Sequence, residues 1–190
     1  MKTRKNTLRG LAAFTLIELL VVISIIAVLA ALALPAVTGA LVKGQITQTM
    51  SNYRQLYVLT QTASLDSQTA GGQGAFPGDL ANSTTAWSNA LVSNYCSAAT
   101  FTSLGTVKGQ GTNTLVWYAK TSEEPNTIFL STAGVGGTGT NVTMNASGPY
   151  GSKGGAFVTI SGQAINVTGT NSAALTNGTA AVTTNGSTTF

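Results

Sequence analysis

Charged residues, histidine and cysteine are scarce in this 190-residue chain. Only 7% of the residues are charged, histidine is absent, and the one cysteine is Cys96. These absences exclude a two-histidine metal site, a cysteine–histidine nucleophile and an intramolecular disulfide. With only five Asp and Glu residues, acid–base catalysis has few candidate groups. The sequence therefore predicts a protein that is not an enzyme and that has no metal site and no cofactor.

The net charge of +4 belongs to the first 13 residues, which contain four cations and no anion. From residue 14 onward, five cations balance five anions. The cations are Lys43, Arg54, Lys108, Lys120 and Lys153, and the anions are Glu18, Asp66, Asp79, Glu123 and Glu124. A nucleic-acid-binding protein needs a basic face that displaces counterions from phosphates. Because the balanced charge offers no such face, no nucleic-acid partner is expected.

An apolar segment covers residues 14–34, and Glu18 is its single charge. As a helix these 21 residues extend about 31 Å, which is enough to cross the hydrocarbon core of a membrane. The positive-inside rule keeps the preceding cations in the cytoplasm and places the rest of the chain outside it. Those cations are Lys2, Arg4, Lys5 and Arg9. The sequence predicts a single-pass membrane protein.

A cleaved secretory signal peptide is the alternative interpretation of this segment. Such a peptide places the small residues of its cleavage site after an apolar core of about 7–15 residues. Here Gly10, Ala12 and Ala13 precede the apolar core, and only residues 31–35 offer small residues after it. The length of the core and the order of these features favour a retained membrane helix.

The sequence AFTLIELLVVI at residues 13–23 resembles the prepilin-type cleavage and methylation motif of type IV pilins and type II secretion pseudopilins. The resemblance implies that a prepilin peptidase cuts on the cytoplasmic side, immediately before Phe14. The same enzyme is expected to methylate the new amine of Phe14. The hydrophobic helix then stays on the mature chain.

The residue before Phe14 departs from the pattern of this family. Members usually have Gly at that position, whereas this chain has Ala13, and the nearest glycine is Gly10. Cleavage after Gly10 leaves Leu11 as the new terminus, seven residues before Glu18. Cleavage after Ala13 leaves Phe14 as the new terminus, four residues before Glu18, which is the spacing of the family. We expect cleavage between Ala13 and Phe14, with Gly10 and Leu11 as the alternative.

An acidic side chain such as Glu18 is costly deep in lipid unless it has a partner. Phe14 precedes Glu18 by four residues, so the Phe14 amine and the carboxylate lie on one side of the helix end. The resemblance implies that the Phe14 amine of an incoming subunit pairs with Glu18 of its neighbour and sets the axial register. A lone carboxylate that is tolerated at the membrane interface remains the alternative.

Pro35 and Gly39 predict a weak point in the helix. Proline removes one helical hydrogen bond and clashes with the carbonyl of Ala31, and glycine costs about 1 kcal/mol relative to alanine. The resemblance implies loss of helical order near this proline in the filament, which makes the filament extensible. A simple kink at the membrane edge is the alternative.

The predicted fold class is α+β, with a long N-terminal helix packed on a small antiparallel β-sheet head, as in pilins. Residues 1–13 form the leader, residues 14–35 the membrane and filament-core helix, and residues 36–68 its continuation into the head. Residues 69–190 form the remainder of the head, with a Gly/Thr/Asn-rich C-terminal part. A short helix is predicted over residues 84–97. Strands are predicted at residues 114–119, 126–131, 156–161 and 163–168, and a further hairpin at Asn177-Gly178.

The favoured function is that of a structural filament subunit. Residues 149–155 resemble the segment that leads into the sheet of major pseudopilins, and one cysteine cannot form the C-terminal disulfide loop of many surface pilins. A type II secretion pseudopilin is therefore favoured over a surface type IV pilin for adhesion, motility or DNA uptake. A monomeric, signal-anchored extracytoplasmic binding protein is the third possibility.

The resemblance also implies the partners and the location of the chain. The expected partners are other copies of the chain, the prepilin peptidase and methyltransferase, the inner-membrane assembly platform and the membrane. The expected location is the bacterial inner membrane, with the N-terminus in the cytoplasm, followed by a periplasmic or surface filament.

Overall fold

The computed structural model describes residues 14–92, 94–109, 114–123, 125–138, 141–144, 148–167 and 173–174. The chain divides into two compact units, Met1–Gly39 and Ala40–Phe190. One helix, α1 (Leu16–Thr69), contributes residues to both units. Its end at Thr69 is one residue beyond the predicted position, just before the glycines of residues 71–74.

The first part of α1 is apolar on all sides. It meets the length and composition of a membrane-spanning helix, and none of its most apolar 18-residue window is buried within the described chain. Large side chains from Phe14 to Leu34 are exposed around the whole helix. A helix that is hydrophobic all round needs lipid or partner helices around it. This exposure separates the segment from the buried core helix of a soluble protein.

The helix is continuous through Pro35 and Gly39. The Thr38 hydroxyl donates a hydrogen bond of 3.0 Å to the Pro35 carbonyl. Pro35 itself has no N–H to offer the carbonyl of Ala31. The loss of helical order that we expect at Pro35 and Gly39 concerns the assembled filament and stays a prediction.

In the second unit, one face of α1 forms part of the head's core. Its buried side chains recur every three or four residues, which is the spacing of one helix face. They are Ile46, Thr49, Asn52, Tyr53, Leu56, Thr60, Ala63 and Ser64. On the opposite face, Gln48 and Arg54 are exposed.

Aromatic side chains fill the centre of the same core. The ring centroid of Trp87 lies 5.2 Å from that of Phe101 and 5.5 Å from that of Phe129, both in edge-on geometry. Phe129 in turn packs edge-on against Phe76 at 5.0 Å. Edge-on pairs of this kind add stability beyond the burial of their area. The indole N–H of Trp87 donates to the Thr60 hydroxyl at 3.0 Å, which ties this cluster to α1.

The head contains two further helices and seven strands in the described part of the chain. The helices are α2 (Thr84–Val92) and α3 (Ala98–Gly105). The strands are β1 (Thr114–Val116), β2 (Ile128–Thr132), β3 (Val135–Thr138), β4 (Asn141–Met144), β5 (Gly155–Thr159), β6 (Ala164–Val167) and β7 (Ala173–Ala174). A short 3-10 helix at Gly151–Lys153 precedes β5.

The main sheet is antiparallel, with the strand order β1-β2-β5-β6. Its two central strands, β2 and β5, are buried along their whole length, so both of their faces are covered. A second antiparallel sheet has the order β3-β4-β7. The predicted α+β class, with a long apolar helix and a small antiparallel sheet, is confirmed.

Several predicted elements differ from the structure in their bounds. The helix predicted over residues 84–97 ends at Val92, and α3 begins anew because the Ser97 side chain accepts the Thr100 N–H at 3.1 Å as an N-cap. The four predicted strands correspond to β1, β2, β5 and β6, with ends that differ by at most three residues. The strands β3 and β4 were not predicted. The hairpin predicted at Asn177-Gly178 lies outside the described residues.

Candidate assembly site at the start of the helix

The first turn of α1 is closed by reciprocal hydrogen bonds between Thr15 and Glu18. The Thr15 N–H donates to Glu18 Oε2 at 2.9 Å, and the Glu18 N–H donates to Thr15 Oγ1 at 3.3 Å. Because the helix begins at Leu16, Thr15 occupies the N-cap and Glu18 the third helical position. This arrangement is a capping box, which satisfies two backbone donors that a helix start otherwise leaves without partners.

The hydroxyl of Thr15 makes a third bond to the same carboxylate. It donates to Glu18 Oε2 at 2.8 Å, so Oε2 accepts two hydrogen bonds. Among residues 14–92, both hydrogen bonds to this carboxylate are accepted by Oε2. Its other oxygen, Oε1, can accept a hydrogen bond from a further donor. Both donors from Thr15 are neutral, so they orient the carboxylate without cancelling its charge.

The surface around this carboxylate is apolar and open. A shallow groove on the helix is lined by Phe14, Ile17, Glu18, Val21 and Val22. Phe14 is 84% exposed, and Ile17 is exposed as well. The site therefore combines one fixed carboxylate with exposed hydrocarbon. That combination suits a ligand that carries a positive group beside an apolar surface, such as a hydrophobic helix with a free amine.

Of the predicted site residues, Phe14 and Glu18 line the same groove. Pro35 and Gly39 lie 17 and 21 residues beyond Glu18 along α1, and they do not line the groove. Gly10, Leu11 and Ala13 lie outside the described residues. The choice between the two cleavage positions therefore stays a prediction.

The role of Thr15 was missed by our sequence reasoning. The signal was present, because a Thr-x-x-Glu spacing immediately before an apolar run is the sequence signature of a capping box.

A second cluster of polar side chains surrounds Tyr150, in the segment of residues 149–155 that resembles the sequence before the sheet of major pseudopilins. Tyr150 is 4% exposed, and its hydroxyl lies 2.8 Å from Thr49 Oγ1 and donates to the Lys108 carbonyl at 2.9 Å. The Lys108 N–H donates to Thr49 Oγ1 at 3.1 Å, which closes a ring of three hydrogen bonds. Burial raises the pKa of Tyr150, so the phenol stays protonated and keeps its proton for donation.

The described residues offer little to catalysis. Among them, no group of three or more His, Cys, Asp or Glu side chains lies close enough to hold a metal ion. Cys96 is half-buried, and burial raises the pKa of its thiol. A raised pKa disfavours the thiolate, which is the nucleophilic form.

Comparison with known proteins gives one family match, at the N-terminus. The chain has no significant match among curated proteins or among solved structures. Residues 9–34 match the family model of the prokaryotic N-terminal methylation motif. This stretch contains Ala13, Phe14 and Glu18, and it overlaps the capped start of α1. The chain thus carries a prepilin-type methylation motif on a long exposed apolar helix, which supports a type IV pilin-like structural subunit that prepilin peptidase processes.

Proposed function

We propose that this chain is a subunit of a type IV pilus-like filament, and more specifically a pseudopilin of a type II secretion system. Prepilin peptidase cuts between Ala13 and Phe14 and methylates the Phe14 amine. The mature chain is drawn from the inner membrane, with its N-terminus on the cytoplasmic side, into a periplasmic filament. The single observation that carries the proposal is the Glu18 carboxylate, which is fixed at the exposed, apolar start of α1.

The chemistry of the helix start supports assembly through a charge pair. The bonds from Thr15 orient the Glu18 carboxylate but leave it charged, and an unneutralised carboxylate is costly in hydrocarbon. Cleavage before Phe14 creates a cation at the tip of an apolar helix. An incoming copy can therefore bring its Phe14 amine to the free Oε1 and its apolar side chains to the groove. Each added copy repeats the same pairing, and the helix register follows from it.

The choice of a pseudopilin over a surface pilin is supported by two features of the head. The residues 149–155 resemble the segment before the sheet of major pseudopilins, and Tyr150 fastens this segment to α1 through Thr49. Cys96 is the only cysteine in the chain, so the head has no disulfide loop. The partners follow from this role: further copies of the chain, the prepilin peptidase, the inner-membrane assembly platform and the membrane itself.

Intact-mass measurement of the purified full-length chain tests the processing step. We expect the loss of the first 13 residues and the gain of one methyl group. Loss of only ten residues places the cut after Gly10 and moves the new amine away from its spacing to Glu18. A chain that keeps Met1 is a signal-anchored monomer, and the filament proposal then fails.

Deletion of the gene in the native host tests the finer assignment. A pseudopilin deletion abolishes secretion of a protein through the outer membrane and leaves the cell without a change in surface fibres. Loss of long surface fibres with intact secretion identifies a surface pilin instead. Electron microscopy and a secretion assay distinguish the two outcomes.

A further inference from the structure

The few charges of the head are segregated along its helix. We call the end of the head at α1 residues 43–49 the basic end. Lys43 is an exposed residue of α1, and the Lys108 N–H donates to Thr49. Lys153 is exposed, and its N–H donates at 3.2 Å to the carbonyl of Tyr150, which itself reaches Thr49. Three cations therefore belong to segments held at this level of the helix.

We call the other end, at α1 residues 64–66, the acidic end. Asp66 is exposed in α1, and the Tyr95 hydroxyl donates to it at 2.7 Å. Asp79 accepts a hydrogen bond from the Thr121 hydroxyl at 2.5 Å, and this hydroxyl lies 3.2 Å from that of Ser64.

Glu123 completes the acidic end. Its N–H donates to the Lys120 carbonyl at 3.1 Å, in the same turn as Thr121. Lys120 is exposed and is the one cation at this end among the described residues. Among the described residues, three anions and one cation give this end a net charge of −2.

The two ends are too far apart to neutralise each other. Thr49 and Ser64 are 15 residues apart in α1, which corresponds to about 22 Å at 1.5 Å per residue. The Debye length at physiological ionic strength is about 8 Å, so the exposed charges of the two ends, Lys43 and Lys153 at one and Asp66 at the other, are screened from one another. Arg54 lies five residues from Thr49 and thus nearer to the basic end. Each copy presents two separate patches of opposite sign.

Parallel copies of this head therefore attract each other only when they are staggered. Two parallel heads at equal height place basic end beside basic end and acidic end beside acidic end, and like charges opposed across an interface are costly. A shift along the helix by roughly the separation of the patches brings opposite signs together. From residue 131 to the last residue, Lys153 is the only charge, so few other charges compete.

We propose that the acidic end of one copy docks against the basic end of the next copy along the filament. The partner of each patch is thus a second copy of this chain. The inference rests on the proposed function, since only a filament of parallel copies repeats the contact. It adds a determinant of subunit stagger in the head to the Phe14–Glu18 pair at the helix start.

Two matched lysine reversals in the full-length chain test the proposal. Lys153→Glu and Lys120→Glu make the same change of charge at exposed positions of opposite ends. We expect Lys153→Glu to lower the filament yield roughly tenfold, because it replaces one of the three cations of the basic end by an anion and so weakens the attraction. We expect Lys120→Glu to assemble at least as well as the unaltered chain, because it strengthens the acidic end. Filaments are quantified by sedimentation after shearing, and thermal unfolding in detergent checks that both heads fold.

A complementation experiment decides whether the two patches touch. Asp66→Lys reverses a charge at the acidic end, where a cation in the last turn of a helix is tolerated. Alone, this chain and Lys153→Glu are both expected to assemble poorly. Expressed together, they are expected to form mixed filaments. The unaltered acidic end of the Lys153→Glu chain then docks on the unaltered basic end of the Asp66→Lys chain, and the two reversed charges, which are opposite in sign, meet at the alternate contacts.

The outcomes separate the inference from the proposed function. Equal filament yields for Lys153→Glu and Lys120→Glu would overturn the docking of unlike ends, as would the absence of mixed filaments. In either case, normal filaments of the unaltered chain still uphold the proposed function. If the unaltered chain is uncleaved and forms no filament, the proposed function itself fails.

Discussion

The Thr15 amide and the Glu18 carboxylate are joined by a hydrogen bond of 2.9 Å across the first turn of α1, and the Thr15 hydroxyl reaches the same oxygen at 2.8 Å. Thr15, three residues earlier in the chain, therefore fixes the position of the Glu18 carboxylate, the single charge of the apolar segment. Glu18 thus has two distinct properties at this site. The hydrogen bonds from Thr15 fix its orientation, and its negative charge is not neutralised by these donors. They can be separated by substitution.

Glu18→Gln separates the charge of residue 18 from its capping role. Glutamine also serves at the third position of a capping box, so the bond from the Thr15 N–H is retained. We expect normal membrane insertion but loss of filaments, as severe as that of Glu18→Ala, because the counter-charge for the Phe14 amine is missing. Membrane fractionation and filament sedimentation measure the two steps. Filaments of normal yield from Glu18→Gln would contradict the charge pair.

Thr15→Val removes the hydroxyl while it keeps the shape of the side chain. Two of the three bonds at the helix start are lost, since Thr15 Oγ1 is the donor of one and the acceptor of the other. We expect correct cleavage and insertion with a filament yield between those of the unaltered chain and Glu18→Gln. Thr15→Ser keeps the hydroxyl and is the matched control. Equal yields for the valine and serine variants show that orientation by Thr15 is dispensable.

Pro35→Ala restores the backbone donor that α1 lacks and removes the clash with the carbonyl of Ala31. We expect unchanged processing and filaments that stretch less under force, because the weak point of the helix is strengthened. Optical-trap or atomic-force stretching of single filaments gives the measurement. Leu34→Ala is the neighbouring control, since it keeps the proline. Identical extensibility of Pro35→Ala and unaltered filaments places the flexible segment elsewhere.

Tyr150→Phe opens the ring of hydrogen bonds between Tyr150, Thr49 and Lys108. Loss of a buried hydroxyl that leaves its partners without a bond costs about 1–3 kcal/mol. We expect a corresponding fall in the unfolding free energy of the head in detergent. Tyr57→Phe is the control, because it removes a tyrosine hydroxyl and keeps the ring that packs on Phe76. A head that is equally stable with either substitution shows that the ring adds nothing.

Glu123 makes the stability of the head depend on pH. Burial raises the pKa of Glu123 from its ordinary value of 4.5; Lys120 opposes this rise, and the charge of Asp79 adds to it. One carboxylate oxygen of Glu123 is buried without a hydrogen-bond partner among the described residues. A carboxyl whose pKa is raised on folding stabilises the head below its unfolded pKa and loses that contribution as the pH rises through the folded value.

Glu123→Gln should therefore gain stability relative to the unaltered chain as the pH rises above 4.5, the ordinary pKa of this carboxyl. Urea unfolding at several pH values measures this difference. The variant is expected to show a flatter pH profile, because glutamine does not titrate. A constant difference in stability across this pH range means that Glu123 keeps its unfolded pKa.

Local features of the sequence determined the start of the molecule. The 21-residue apolar segment from Phe14 to Leu34 specifies a helix without help from the rest of the chain. Thr15 and Glu18 are close enough in sequence to meet within one helical turn. The buried residues of α1 in the head, such as Tyr53, Leu56 and Thr60, also recur at a spacing of three or four residues along the sequence. Such patterns can be recognised in the sequence because the residues that form them belong to one helix and are close together along the chain.

The tertiary structure decided what depends on distant partners. Strands β3 and β4 are short and rich in Gly, Thr and Asn, so their pairing with each other, and not their composition, makes them strands. Lys108 is brought to Thr49 in α1, and Asp79 to Thr121, across 59 and 42 residues of sequence. The balanced charge seen in the sequence thus becomes two separated patches only in the folded head. Chain folding sets which charges are neighbours, and no local pattern of residues records it.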